Sequence, residues 1–262
     1  MSSSRPYLKP TPLALAHRGG ALYGPNVGLE NTVTAFRNAV ALGYTHLETD
    51  VHVTADGQLV AFHDERLDRV TDGTGLIREL PWSEVRQARI RGHERIPLLT
   101  EVLEELPGVR LNIDLKAADT AEPTWEVIRS RGLMDDFCIG SFSQRLITRF
   151  RRLSAGRVAT AASRPGTALM VLGPQWVSRM LRTPAEVFQV PTVITPRGRT
   201  VAVVTPKLVE LAHRYGKQVH VWTVDDATEM ERLLDLGVDG IVSDRIDVLK
   251  DVLTGRGEWT GN

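Results

Sequence analysis

The sequence has one cysteine, Cys138, in 262 residues, which excludes an internal disulfide framework and a zinc site built from cysteines. It has no excess of charge of either sign, since 32 basic side chains meet 32 acidic ones. Non-specific binding to nucleic acid or to an anionic membrane draws on a basic surplus, so neither partner is expected. No apolar run approaches the roughly 18 residues of a membrane span, and no stable membrane anchor is expected. The segment Met1 to Pro12 is polar, carries three prolines and lacks the apolar centre of a secretory leader. These absences point to a cytoplasmic protein and leave the oligomeric state open. Neither G-x-G-x-x-G nor a Walker A sequence occurs, which weighs against a doubly wound nucleotide-binding sheet.

What remains is an ordinary globular composition, 42% hydrophobic and 24% charged. A short apolar run, a turn and an amphipathic helix recur along the chain. Leu13 to His17 reads as a first strand, and Asn31 to Leu42 as a helix with Asn31 as its expected N-cap. His46 to Thr54 reads as a strand, turned by Asp56-Gly57 into Leu59 to His63. Residues 64–97 lack periodicity and read as a loop excursion with a short helix near Trp82 to Ala88. From Thr100 onward strand and helix alternate again, including a helix over Ala168 to Leu181 and a strand over Val187 to Ile194 that Pro191 weakens. About eight β-then-α units with near-continuously apolar strands predict a (β/α)8 TIM barrel. The expectation is one barrel domain over residues 1–262, with 64–97 a small insertion on the catalytic face.

In such a barrel the chemistry lies at the carboxyl ends of the strands. The first strand ends in His17-Arg18-Gly19. The second carries Glu48, Asp50 and His52 on one face by the alternation of a strand, and its return strand ends in His63-Asp64. The third carries Asp114 and Lys116, again on one face. Carboxylates are costly to bury unpaired, and a divalent cation resolves the cost. Glu48, Asp50 and Asp114 offer three hard oxygens, which suit Mg2+ or Ca2+. Arg18 and Lys116 add positive charge beside that ion, making a pocket for a small-molecule anion such as a phosphodiester. His17 and His63 titrate near neutrality in their ordinary state and can exchange protons there. Phe142 and Trp222, at strand ends, are read as core aromatics or as a wall for the alcohol part of a ligand. A structural network of ion pairs accounts for any single pair of these charges, but less well for five ionisable groups and two histidines converging on strand ends.

These residues are recognisable. His17-Arg18-Gly19, Glu30-Asn31-Thr32, Glu48-Thr49-Asp50-Val51-His52, His63-Asp64, Asn112-Ile113-Asp114-Leu115-Lys116 and Val221-Trp222-Thr223, in this order, resemble the glycerophosphodiester phosphodiesterase family over nearly the whole chain. The resemblance implies hydrolysis of glycerophosphodiesters to an alcohol and sn-glycerol 3-phosphate, in glycerol and lipid metabolism. It implies a divalent cation on Glu48, Asp50 and Asp114, His17 and His63 as general base and acid, and Arg18 and Lys116 on the phosphate. It further implies that the neighbouring glycerol hydroxyl attacks first, and that Trp222 packs on the glycerol. Glu30 and His52 are expected one step behind these residues. Three departures stand out: Leu29 where the family carries proline, Asp114 where it carries glutamate, and an unmatched stretch from Phe188 to Arg199. A lysophospholipase D-like enzyme would use the same site on single-chain lipids, with the apolar segment Ala168 to Leu181 as the motivating feature. A non-catalytic phosphodiester-binding protein is a third reading, against which both histidines stand.

Overall fold

The computed structural model describes residues 5–163, 183–195, 198 and 200–261. The helix expected over Ala168 to Leu181 lies outside the described residues. Eight parallel strands run side by side in the order β8 (Ala159–Thr160), β7 (Phe137–Gly140), β6 (Arg110–Leu115), β2 (His46–Val53), β1 (Leu13–Ala16), β13 (Gly240–Ser243), β12 (Gln218–Val221) and β9 (Val187–Val190). The two ends of this row meet. Ala162 N donates to Val187 O at 2.8 Å and Glu186 N to Thr160 O at 2.9 Å, closing a barrel.

Strand alternation sorts the residues of the barrel strands between its interior and the layer under the helices. On β2 the odd positions Leu47, Val51 and Val53 join the large apolar layer between barrel and helices, with Phe36 and Ala39 of α1 (Val33–Ala41). The even positions, His46, Glu48, Asp50 and His52, point into the barrel, and all are buried. The lower interior is apolar, filled by Tyr7, Leu13, Leu15, Cys138, Val187 and Val242. Gly240 is required there, because a Cβ would lie 2.8 Å from the His220 ring. Gly19 is required at the mouth. Its φ is +87°, and a Cβ would meet that of Ala35 at 2.9 Å.

Two local expectations change. The N-cap of α1 is Thr32, whose hydroxyl accepts from Ala35 N at 3.1 Å. Asn31 instead sits at φ +59° and turns its amide inward, donating to Asp50 Oδ2 at 3.2 Å. The strand from Val187 stops at Val190, before Pro191, and β10 (Val193–Ile194) and β11 (Val201–Ala202) form a separate antiparallel pair. Residues 64–97 form more than a loop. β3 (Leu59–Ala61) pairs antiparallel with β2, and after it come 3-10 turns at Leu67–Arg69 and Ile77–Glu79, α2 (Trp82–Val85) and a hairpin of β4 (Arg89–Ile90) and β5 (Glu94–Arg95). These pieces share a core of their own, in which Phe62, Leu67, Ile77, Val85 and Ile90 are buried. No helix among the described residues is long and apolar enough to cross a membrane.

Candidate active site

A cavity of about 420 Å3 opens among the carboxyl ends of the strands, and every side chain expected to touch substrate or metal lines it: His17, Arg18, Glu48, Asp50, His63, Asp114, Lys116, Phe142 and Trp222. Glu30 and His52 do not line it. His52 Nε2 hydrogen-bonds the His63 carbonyl at 3.1 Å, bracing the strand end that carries His63.

Both cavity histidines are tethered at the same ring nitrogen. His17 Nδ1 lies 2.8 Å from Asp244 Oδ1, and His63 Nδ1 lies 2.6 Å from Asp64 Oδ1. A carboxylate only accepts, so Nδ1 carries the hydrogen and Nε2 is left to exchange a proton. Burial opposes charging of His17, but the Glu48 charge at 3.8 Å and the Asp244 hydrogen bond outweigh it, and its pKa is raised. Asp64 is pulled down to about 2: burial acts upward, and hydrogen bonds from Arg69 and His63 prevail.

The acids and cations lie beside these rings. Asp50 and Asp114 stand in register on β2 and β6. Lys116 Nζ sits between them, 2.7 Å from Asp50 Oδ1 and 2.8 Å from Asp114 Oδ2. Arg18 Nε lies 3.4 Å from Asp50 Oδ2, its Nη1 donates to Glu30 at 3.1 Å, and its backbone N–H donates to Glu48 Oε2 at 3.1 Å. Burial resists ionisation of Asp50, yet Lys116 and Arg18 hold it low. Glu48 moves the other way, driven up by burial and by the Asp50 charge. Asp114 is also raised, chiefly by burial, with Lys116 opposing. The three carboxylates are hard oxygen donors and suit a divalent ion chemically. Their arrangement puts a lysine where two of them would share an ion. Among the described residues no three histidine, cysteine, aspartate or glutamate side chains are grouped so as to hold a metal.

Phe142 and Trp222 meet edge to face with centroids 5.9 Å apart, and Lys116 Nζ lies 5.8 Å from the Phe142 centroid. Across the cavity floor Gln189 Nε2 donates to Asn112 Oδ1 at 2.7 Å, and both residues line it. Sequence reasoning missed these two amides, and it missed Asp244 as the partner of His17. Asp244 had a legible signal, its place directly after a strand. Its backbone N–H and that of Arg245 both donate to Asp225 Oδ1, which fixes the turn.

A parallel barrel with titratable and cationic side chains gathered at its strand ends is the layout of a barrel enzyme. The model of the glycerophosphoryl diester phosphodiesterase family matches residues 17–248. The chain belongs to that family. It is similar, at 40% identity over 95% of this chain and 93% of the relative, to "Probable glycerophosphodiester phosphodiesterase 2" of Mycobacterium tuberculosis. It is 27% identical to a Homo sapiens lysophospholipase D, covering 91% of this chain and 85% of that one. Among solved structures it matches an Oleispira antarctica phosphodiesterase in complex with the product sn-glycerol-3-phosphate, with a TM-score of 0.77, 24% identity, and coverage of 93% and 97%.

Proposed function

We propose that the chain hydrolyses glycerophosphodiesters in this cavity, releasing an alcohol and sn-glycerol 3-phosphate. The observation that carries the reading is the pair of histidines, each held at Nδ1 by a carboxylate, on one cavity that Arg18 and Lys116 also line. Arg18 and Lys116 neutralise the diester and orient it. One imidazole Nε2 takes the proton of the attacking glycerol hydroxyl, whose oxygen bonds to phosphorus as the alkoxide leaves and takes a proton from the other imidazole. Water then opens the resulting cyclic phosphate to sn-glycerol 3-phosphate. The family resemblance assigns the base to His17 and the acid to His63. Asp244 and Asp64 each stabilise the charged form of the ring they hold, His17 and His63 respectively.

Glu48, Asp50 and Asp114 would hold a divalent cation, Mg2+ or Ca2+, and Lys116 would turn from the two aspartates toward the phosphate. Such an ion supplies positive charge to the phosphoryl oxygens when bound. Phe142 and Trp222 enclose the non-reacting part of the ligand. Residues 1–262 are read as one barrel unit, with 64–97 an insertion beside the site.

A second reading, turnover of single-chain phospholipids, is favoured by one observation. Besides its charged residues the cavity is lined by the apolar side chains of Phe142, Ala161, Ala162, Pro191, Ile194 and Val203.

The test incubates purified protein with glycerophosphocholine, glycerophosphoethanolamine, lysophosphatidylcholine or bis(p-nitrophenyl) phosphate, under Mg2+, Ca2+ or EDTA. Glycerol 3-phosphate is expected from the first two, and is expected to disappear with EDTA and in His17→Ala and His63→Ala. Turnover of the lysolipid alone would favour the second reading. Binding without turnover on any of the four would overturn both.

A further inference from the structure

Arg69 was not among the residues the sequence singled out, and it does not line the cavity. It ends the 3-10 turn Leu67–Arg69 in the 64–97 excursion. Its guanidinium spans two carboxylates from different parts of the chain. Nη1 and Nη2 donate to Glu30 Oε2 and Oε1 at 3.0 and 2.6 Å. Nη2 also donates to Asp64 Oδ1 at 3.1 Å, and Nε donates to Asp64 Oδ2. Each carboxylate passes the contact on to a cavity side chain. Glu30 accepts from Arg18 Nη1 at 3.1 Å, and Asp64 accepts from His63 Nδ1 at 2.6 Å. Among the described residues Arg69 is the one side chain hydrogen-bonded to both carboxylates.

The turn that presents Arg69 is itself fixed. Leu67 is buried in the excursion's core, its N–H donates to Gly75 O at 3.1 Å, and its carbonyl accepts from Thr71 N at 3.2 Å. Gly75 N in turn donates to Asp68 Oδ2 at 3.1 Å. The excursion therefore packs on an apolar core that it shares with Val60 and Phe62, and delivers a planar five-donor fork to a set point. Lysine's compact ammonium can bridge two carboxylates, as Lys116 does, but it cannot meet both oxygens of each as the Arg69 fork does. Arg69 is about half exposed, with side-chain accessibility of 47% against 15% for Glu30 and 25% for Asp64. At that exposure an ion pair adds little to stability. Its effect lies in geometry.

We propose that Arg69 is a positioning residue of this site: one guanidinium sets the phosphate-facing Arg18 and the proton-transferring His63 at a fixed separation, and so makes the excursion a working part of the active site. The proposal rests on the hydrolase reading above. It predicts that the two lines from Arg69 separate kinetically. Asp64→Asn should lower kcat with KM nearly unchanged, because His63 loses its anchor. Glu30→Gln should raise KM with kcat nearly unchanged, because Arg18 loses its brace. Arg69→Met should do both, lowering kcat/KM by about a hundredfold, the scale of a misplaced reacting group. Arg69→Lys, which keeps the charge and loses the fork, should recover only a small part of that loss. Arg69→Met combined with Asp64→Asn should lower kcat little beyond Arg69→Met alone, since both cut the same line.

The experiment measures kcat and KM for glycerol 3-phosphate release from glycerophosphocholine across this set. In parallel, 15N spectra of histidine-labelled protein record the His63 ring without requiring turnover. The expected spectrum has a fixed Nδ1–H tautomer in the wild type that is lost or exchanging in Arg69→Met. Kinetic constants of Arg69→Met within about twofold of wild type, full rescue by lysine, multiplying losses in the double variant, or an unchanged His63 signal would each overturn the proposal. Should the wild type turn over no glycerophosphodiester, the hydrolase reading falls, and the His63 spectrum decides by itself whether Arg69 positions that ring.

Discussion

Acidification should unfold this protein through two histidines inside the barrel, and the size of the effect follows from their surroundings. His220 is wholly buried on β12, with Nε2 donating to Gln218 Oε1 at 3.0 Å and Nδ1 without a hydrogen-bond partner among the described residues. Burial lowers its pKa to about 3, with His46 nearby adding to the effect. His46 is lowered to about 4, again by burial, although its hydrogen bond to the Tyr7 carbonyl at 2.9 Å resists the shift. Both rings thus stay neutral in the folded chain while the unfolded chain takes up protons near pH 6.5. Proton uptake by the unfolded state favours unfolding, so stability is full above that pH and is lost as the pH falls toward 4 and then 3. Each ring costs about 1.4 kcal/mol per pH unit in this window, or ~2 kcal/mol between about pH 6.5 and about pH 5. Glu48, with its pKa raised by burial and by Asp50, acts in the opposite sense over part of the same range. The comparison that isolates one ring is wild type against His220→Gln, by urea denaturation at several pH values. The variant should be less stable near neutrality through lost packing, yet its stability should fall by ~2 kcal/mol less over that interval. Equal pH slopes in the two proteins would refute the reasoning.

Asp244→Asn should lower kcat by about a hundredfold or more, because the amide leaves the His17 tautomer unfixed. Since Glu48 and Asp244 raise the His17 pKa against burial, the same change should move the acid limb of the kcat/KM profile to lower pH, and an unmoved limb would count against His17 as the base. Phe142→Ala should raise KM for glycerophosphocholine about tenfold while kcat changes little, as expected for a wall that binds substrate and transition state alike. An unchanged KM would place the alcohol elsewhere. Phe36→Ala, at a wholly buried position in the layer between α1 and the barrel, should destabilise the fold by about 3–5 kcal/mol in denaturant titration. A cost under about 1 kcal/mol would contradict that packing.

The barrel could be read from sequence because its strands obey a simple rule. Leu47, Val51 and Val53 must face helices, and a charged residue at every second place between them can only face inward. That same alternation brought Glu48, Asp50 and Asp114 to one cavity. The excursion was not legible for the converse reason: its two-residue strands and single turns are too short to carry a period, and only their shared core gives them order. The N-cap was misplaced by one residue because Asn31 and Thr32 are both good caps, and a tertiary contact to Asp50 decides between them. The partners of the histidines were hidden to different degrees. Asp64 adjoins His63, whereas Asp244 reaches His17 across 227 positions of sequence. The place of Lys116 between two aspartates could not have been inferred from spacing, since strand alternation gives a side chain's face and not where its end comes to rest.

The enzyme is defined by which bond of the diester it breaks and by which side chains. The direct measurement is 31P NMR of glycerophosphocholine incubated with the wild-type protein and with His17→Ala in the presence of a divalent cation. The diester resonance should convert to the monoester of sn-glycerol 3-phosphate with wild type and should persist with the variant. Conversion at equal rates in both, or release of choline phosphate instead, would contradict the account.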